Sequence, residues 1–406
     1  MAKLEGIQIQ NYRSLKNVIL GRTFDFRDNE ALSQIISIIG PNGAGKTSII
    51  DAFGFIGDCL RFGVEEACDQ SHRGGFSRLR TQNSDEPIKF EIYFRGATNT
   101  RPISYTLHID MDENGVPFVA YERLRQRRKG QSKGWPFSFL EISNGKGFVW
   151  AGESTTKEEG NKKEEVELED KKLLGLVTFG NLTEHPRIVA FREFLEGWYL
   201  SYFLPDLARG LPIAGVQKHL NKSGDNLANY LQYIERHNSI KFSHLLKKVS
   251  NKIPGIKNIK HAKSEDGRLL IEFYEEGYEK PFYAQDMSDG SLKLFAYLLL
   301  MADPDSAPLI GIEEPENGLY HQLMEPLALE MKEFSNTQSG PQMLISTHSP
   351  YFIDALAPGA VWILKKINGL THVFRLSDID NISEFVNEGL PLGSLWYSNH
   401  FNAIGQ

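Results

Sequence analysis

Ile35-Ile36-Ser37-Ile38-Ile39, followed at once by Gly40-Pro41-Asn42-Gly43-Ala44-Gly45-Lys46-Thr47-Ser48, decides the reading of this chain. The first five residues form a continuous β-branched run, the mark of a strand buried on both faces. The next nine match G-x-x-x-x-G-K-[ST] in full. Glycines let the backbone curl so that its N–H groups face inward, and a helix starting at the end of the turn adds partial positive charge. Such a turn is expected to grip a triphosphate. Gly40, Asn42, Gly43 and Gly45 shape the cradle, Lys46 reaches the β- and γ-phosphates, Thr47 offers its hydroxyl to Mg²⁺, and Ser48 donates to the α-phosphate. Ile49, Ile50, Phe53, Ile56 and Leu60 then recur at close to helical spacing over 48–62.

Three further stretches carry chemistry. Leu309-Ile310-Gly311-Ile312-Glu313-Glu314 reads as an apolar strand ending in paired carboxylates. Glu313 is placed to hold the Mg²⁺ shell and Glu314 to polarise an attacking water. Ser346-Thr347-His348-Ser349-Pro350 ends another apolar strand, where His348 can contact the γ-phosphate or the water. Met287-Ser288-Asp289-Gly290-Ser291 opens an apolar helix. Ser288 or Asp289 can serve there simply as an N-cap. The functional alternative is an exposed helix start, with Ser288 and Gly290, that binds the γ-phosphate of a neighbouring subunit.

Outward from these motifs, residues 4–10 and 16–20 read as short strands around the polar turn Asn11-Tyr12-Arg13-Ser14. Residues 88–125 alternate as an antiparallel meander. The polar stretches 129–134 and 152–172 are expected to be solvated loop or exposed helix. Residues 184–252 look mainly helical, with segments near 187–203, 225–237 and 240–251. Strands near 308–312, 343–347, 360–364 and 371–376 alternate with helices, which indicates an α/β sheet.

Composition narrows the function classes. The chain has 406 residues, enough for two or three lobes. Its 41% hydrophobic and 24% charged residues are those of a globular protein. Lys plus Arg is 45 against 52 Asp plus Glu, a net charge of −7 that argues against a general nucleic-acid coat. Its longest apolar run, Leu294 to Ala302, falls well short of the roughly 20 residues a membrane span needs. The N-terminus lacks an apolar signal core. Two cysteines, Cys59 and Cys68, are read as buried reduced thiols. No membrane partner and a cytoplasmic location are therefore expected.

The order of these motifs resembles the ABC-type ATPase heads of the SMC/RecF class: Walker A at 40–48, signature at 287–291, Walker B with its Glu at 309–314, D-loop near 316–320 and the His switch at 348. The turn Asn11-Tyr12-Arg13-Ser14-Leu15 looks like the N-terminal turn of RecF-like heads, which implies that Arg13 approaches the phosphates. The stretches GPNGAGKTSIIDAFGFIGDCLRFGVEEA with Gly74-Gly75-Phe76, MSDGSLKLFAYLLLMA and IEEPENGLYHQLMEPL are similar to stand-alone bacterial ATPases related to OLD ATPase heads. The fold implied is α/β: a P-loop head with a mixed or parallel core sheet, an antiparallel meander and a helical lobe. Its implied divisions are 1–180, 181–268 and 269–406.

The resemblance implies ATP and Mg²⁺ as cofactors, with catalysis by Lys46, Glu314 and His348. It also implies a homodimer or higher homo-oligomer that sandwiches ATP between Walker A and the partner's signature. A separately encoded effector, Toprim-like or another nuclease in antiphage defence, would be its output. Three features depart from the pattern: Glu313 stands where Asp is usual, Asp289 where transporters have Gly, and Gln82 is a weak candidate for the Q-loop glutamine. Asp289 is expected to point away from phosphate. Asp378 and Asp380 read as surface acids, so no nuclease activity of the chain's own is expected.

The alternative function is a DNA-binding clamp of recombination or repair. Its basis is two basic stretches, Arg123, Arg125, Arg127, Arg128 and Lys129, and Lys247, Lys248, Lys252, Lys257, Lys260 and Lys263. A transporter's nucleotide-binding subunit and a small-molecule kinase fit less well; the kinase would not need the 287–291 motif.

Overall fold

Alternation within the short strands sorts the apolar residues into two cores. In the computed structural model Ile36 and Ile38 join one core, while Ile35 and Ile39 join the other. The structure describes residues 2–398 apart from 71–72, 98–100, 128–130, 132–134, 153–161, 216, 238, 304 and 338–339.

Strand Ile35–Ile39 lies inside a six-stranded sheet. The sheet runs Tyr199–Ser201, Leu309–Glu313, Gln342–Thr347, Ile35–Ile39, Val361–Ile367 and Leu370–Arg375. The first five strands are parallel and the last turns back antiparallel. All parallel strands thus end at one edge, where an open α/β sheet places its ligands. These strands come from all three of the stretches 1–180, 181–268 and 269–406.

An eight-stranded antiparallel sheet covers one face. It begins with the hairpin Lys3–Tyr12 and Leu15–Gly21, continues through the meander Ile88–Arg95, Ile103–Met111 and Pro117–Gln126, and ends at Lys163–Glu167. Helix Lys46–Phe62 contributes Ile49, Phe53, Ile56 and Leu60 to the core between the two sheets. The second core holds the signature helix Asp289–Met301, helix Met324–Ser335 and a three-stranded sheet at 256–283.

Two expectations need correction. Residues 163–167 are neither loop nor helix but an edge strand, paired with Lys146–Trp150. Its charges sit where they suit an edge open to water: Lys163 pairs with Glu165 at 2.9 Å and Glu167 with Lys146 at 2.8 Å. Residues 168–172 of the charged insertion are loop and turn, as expected, and 153–161 lie outside the described residues. The helix expected to 203 stops at Glu196, and Tyr199–Ser201 becomes a strand because it pairs in parallel with Leu309–Glu313.

Cys59 and Cys68 are both buried, and burial pushes their thiols up, Cys68 to about 12. Among the described residues no helix is long and apolar enough to cross a membrane.

Candidate functional site

The turn after Ile35–Ile39 is squeezed against the hairpin of Val361–Ile367 and Leu370–Arg375. A Cβ on Gly40 would lie 2.5 Å from the Leu364 carbonyl oxygen, and one on Gly45 would lie 2.4 Å from Thr371 Oγ1. Both glycines also sit at positive φ, 151° and 111°. Side chains are excluded there by space and by backbone alike. Gly45 is the N-cap of helix Lys46–Phe62 and no described side chain caps it, so the first-turn N–H groups remain available to an anion.

Thr371, which sequence reasoning saw only as a strand residue, braces this turn. Its hydroxyl donates to the Ala44 carbonyl at 2.8 Å and lies 2.8 Å from Ser14 Oγ. Its backbone N–H donates to the Ser14 carbonyl at 2.9 Å. Three distant segments therefore meet at one loop.

The ends of the parallel strands bring the acids to the same place. Thr47 Oγ1 donates to Glu313 Oε1. Burial raises the pKa of Glu313, and the adjacent Glu314 charge adds to the shift. Glu314 itself has φ 43°, a strained value for a residue with a side chain, and its N–H is tied to the Ser346 carbonyl at 2.9 Å. Its Oε1 lies 3.1 Å from His348 Nε2 and 3.8 Å from Lys46 Nζ.

Lys46 is 5% exposed; its ammonium lies 2.6 Å from His348 Nε2 and donates to the Gly40 carbonyl at 3.1 Å. Burial lowers the pKa of Lys46 against the opposing pull of Glu314, Glu316 and Glu313. Glu316 pins the His348 turn: its carboxylate accepts from Thr347 Oγ1 at 2.9 Å and from the His348 N–H. The sequence placed Glu316 only in the D-loop, without this role.

The signature loop sits apart. No hydrogen bond or ion pair among the described residues joins 287–291 to 40–48. Ser288 caps its own helix by accepting from the Ser291 N–H at 3.2 Å, yet remains exposed. Asp289 is held by Arg209, which also donates to the Met287 carbonyl at 2.9 Å. Arg209 also pairs with Asp206 at 2.6 Å, so it offsets the Asp289 charge only in part. Gly290 packs on the 316–319 turn, where a Cβ would lie 2.5 Å from the Gly318 carbonyl oxygen.

Arg13 adopts φ 52° and reaches Asp51 on the first turns of helix Lys46–Phe62, at 2.7 Å. Asp51 also accepts from Tyr12 Oη at 2.7 Å and from Arg73 Nε at 2.9 Å, and Arg73 continues to Asp58 at 2.7 Å. A single Arg beside two glycines gave no sequence signal for this buried network.

A cavity of about 630 Å³ opens beside Ser48, lined by Arg13, Arg78, Arg80, Gln82 and Lys366 among others. Gln82, the weak Q-loop candidate, lines the same cavity as Ser48 and lies toward the 366–370 turn. The strand next to Leu309–Glu313 ends at Ser201 and is followed by Tyr202.

The basic stretches are partly absorbed by the fold. The Arg125 side chain, 6% exposed, lies 3.5 Å from the Phe24 ring centroid and 4.0 Å from Glu91. Lys252 pairs with Glu330, and Lys260 lies over Tyr274. Arg128 and Lys129 fall outside the described residues. Among those described, no group of three or more His, Cys, Asp and Glu side chains could hold a metal. The hard-oxygen pair of Thr47 and Glu313 does suit Mg²⁺.

Comparison with solved structures places this fold among SMC heads. An Smc head with an extended coiled coil, bound to the C-terminal domain of ScpA and derived from Pyrococcus furiosus, aligns with a TM-score of 0.53. Its identity is 14%, covering 95% of this chain and 100% of that one. An SmcHead bound to the C-winged helix domain of ScpA aligns at 0.52 with 15% identity, covering 91% and 96%. No curated protein matches the chain in sequence. Residues 35–354, from the strand before the phosphate loop to the helix after His348, match the AAA_21 family, "AAA domain, putative AbiEii toxin, Type IV TA system", and the chain belongs to that family of P-loop ATPases.

Proposed function

We propose that this ATPase is a two-chain switch, closed by ATP and opened by hydrolysis, that controls a separately encoded effector. One observation supports it above the others: Lys46, His348 and Glu314 cluster beside the Thr47–Glu313 pair, while Ser288 is exposed and makes no hydrogen bond to its own phosphate loop. Half a nucleotide site is assembled and its complement faces outward. A two-fold pair satisfies both sites at once.

In that pair the phosphate loop holds the triphosphate through its N–H groups and Lys46. Glu314 accepts a hydrogen bond from the attacking water and orients it toward the γ-phosphorus. As the water oxygen bonds to phosphorus and gives its proton to Glu314, the bond to the β–γ bridging oxygen breaks and ADP leaves. His348 and Lys46 offset the charge on the γ-phosphate oxygens. Mg²⁺, held by Thr47 and Glu313, would neutralise charge across the β- and γ-phosphates. Ser288 and Gly290 of the second chain would close over the γ-phosphate, and loss of that phosphate releases the pair.

Sedimentation of wild type and Glu314→Gln, with and without Mg·ATP, tests the reading. Glu314→Gln should bind ATP, hydrolyse it slower by about two to four orders of magnitude, and accumulate as the closed pair. Lys46→Ala should do neither. No ATP-dependent change in association, or in the shape of a pre-existing dimer, would overturn the switch.

The effector is inferred from the family resemblance; the Smc heads bound to ScpA domains show that this fold can present a surface to a protein partner. Lys247, Lys248, Lys257 and Lys263 remain exposed, which keeps a DNA clamp as the second reading. Salt-dependent DNA affinity would favour that reading.

A further inference from the structure

Lys293 lies in the second turn of the signature helix and is 7% exposed. A lysine this buried ordinarily faces a carboxylate. This one donates instead to a backbone carbonyl, that of Asn317, at 2.9 Å. Asn317 in turn donates its side-chain amide to Glu314 Oε2 at 2.9 Å, the oxygen that His348 and Lys46 do not contact. A second tie runs alongside. Gly290 sits so close to Gly318 that a single methyl group would collide with its carbonyl oxygen at 2.5 Å. The signature helix and the 314–319 turn are therefore tied at two points.

We propose that Lys293 is a positioning residue that fixes Glu314 through Asn317, so that the seating of one chain's signature helix sets the water-orienting carboxylate of that same chain. This inference rests on the two-chain reading above. There, the helix start at Ser288 is seated by the partner's γ-phosphate. Lys293 passes that seating to Asn317, and Asn317 holds one oxygen of Glu314 while the other is left to His348 and water. An empty partner site leaves the helix unseated and Glu314 misaimed. Turnover at the two sites is coupled with no residue shared between them.

The test is steady-state ATP hydrolysis together with equilibrium binding of a fluorescent ATP analogue. The chains compared are wild type, Lys293→Met, Asn317→Ala and the double variant. Each single variant should keep the binding constant within about threefold and lose about tenfold to a hundredfold in kcat, with the Hill coefficient falling toward one. Because both residues act through one chain of contacts, the double variant should lose no more than the worse single. Wild-type kcat in either single variant, or losses that multiply in the double, would overturn the proposal. Asn317 is exposed, so Asn317→Ala carries the same test if the buried Lys293→Met does not fold. Failure of the two-chain reading is seen separately, as a wild type that does not respond to ATP by sedimentation. The kcat arm then still decides whether Lys293 positions Glu314 within one chain.

Discussion

Replacing Arg73 with Met would test the ion network that anchors the phosphate-loop helix. The Arg73 side chain is 2% exposed, and its two carboxylate partners, Asp51 and Asp58, are 9% and 7% exposed. Asp51 would keep the Tyr12 hydroxyl and Arg13 as partners. Asp58 would lose its only ion pair among the described residues and stay buried. Stranding a buried charge in this way costs about 3–5 kcal/mol. The packing lost with the long side chain adds little, because Met fills most of its volume.

Urea unfolding followed by circular dichroism should show that loss. The double variant Arg73→Met, Asp58→Asn should recover much of it, since the stranded charge is gone. A coupling of about 1–3 kcal/mol between the two positions is expected from such a cycle. A loss below about 1 kcal/mol for Arg73→Met, within the range of an ordinary surface change, would refute the reasoning, as would a double variant no more stable than the single.

Glu122 is fully buried and accepts from Tyr105 Oη and from the N–H groups of Gly175 and Leu176; burial outweighs these donors and pushes its pKa up to about 7. The folded chain therefore holds this proton more tightly than the unfolded one. Its stabilisation is complete below about pH 4.5 and is lost as pH rises to 7. Across that window wild type should lose about 3 kcal/mol relative to Glu122→Gln in chemical denaturation, and a pH-independent difference would contradict it. Thr371→Val removes the hydroxyl that braces Ala44 and Ser14 and should weaken ATP binding about tenfold by titration calorimetry, with unchanged affinity counting against the brace.

The legible parts of the site are those that local sequence encodes. The buried strand, the glycine turn and the helix after it are contiguous, so residues 35–62 announce themselves. Glu313, Glu314 and His348 end apolar strands and were legible for the same reason. Strand Tyr199–Ser201 was not, because three residues following a helix carry no period and become a strand only through a neighbour about 110 positions away. Lys163–Glu167 hides its alternation under charges that an edge strand tolerates on both faces. Thr371, Arg73 and Lys293 act through a few contacts to residues outside their own elements, for which one sequence offers no pattern.

Strand Ile35–Ile39 has both of its sheet neighbours, Gln342–Thr347 and Val361–Ile367, roughly three hundred residues downstream. A ribosome adding about 5–20 residues per second needs roughly 15–60 s to supply them. Until then the nascent chain carries an apolar segment with two bare hydrogen-bonding edges and a glycine turn that nothing braces. The first strand of the parallel sheet therefore stays without its neighbours until translation is nearly finished.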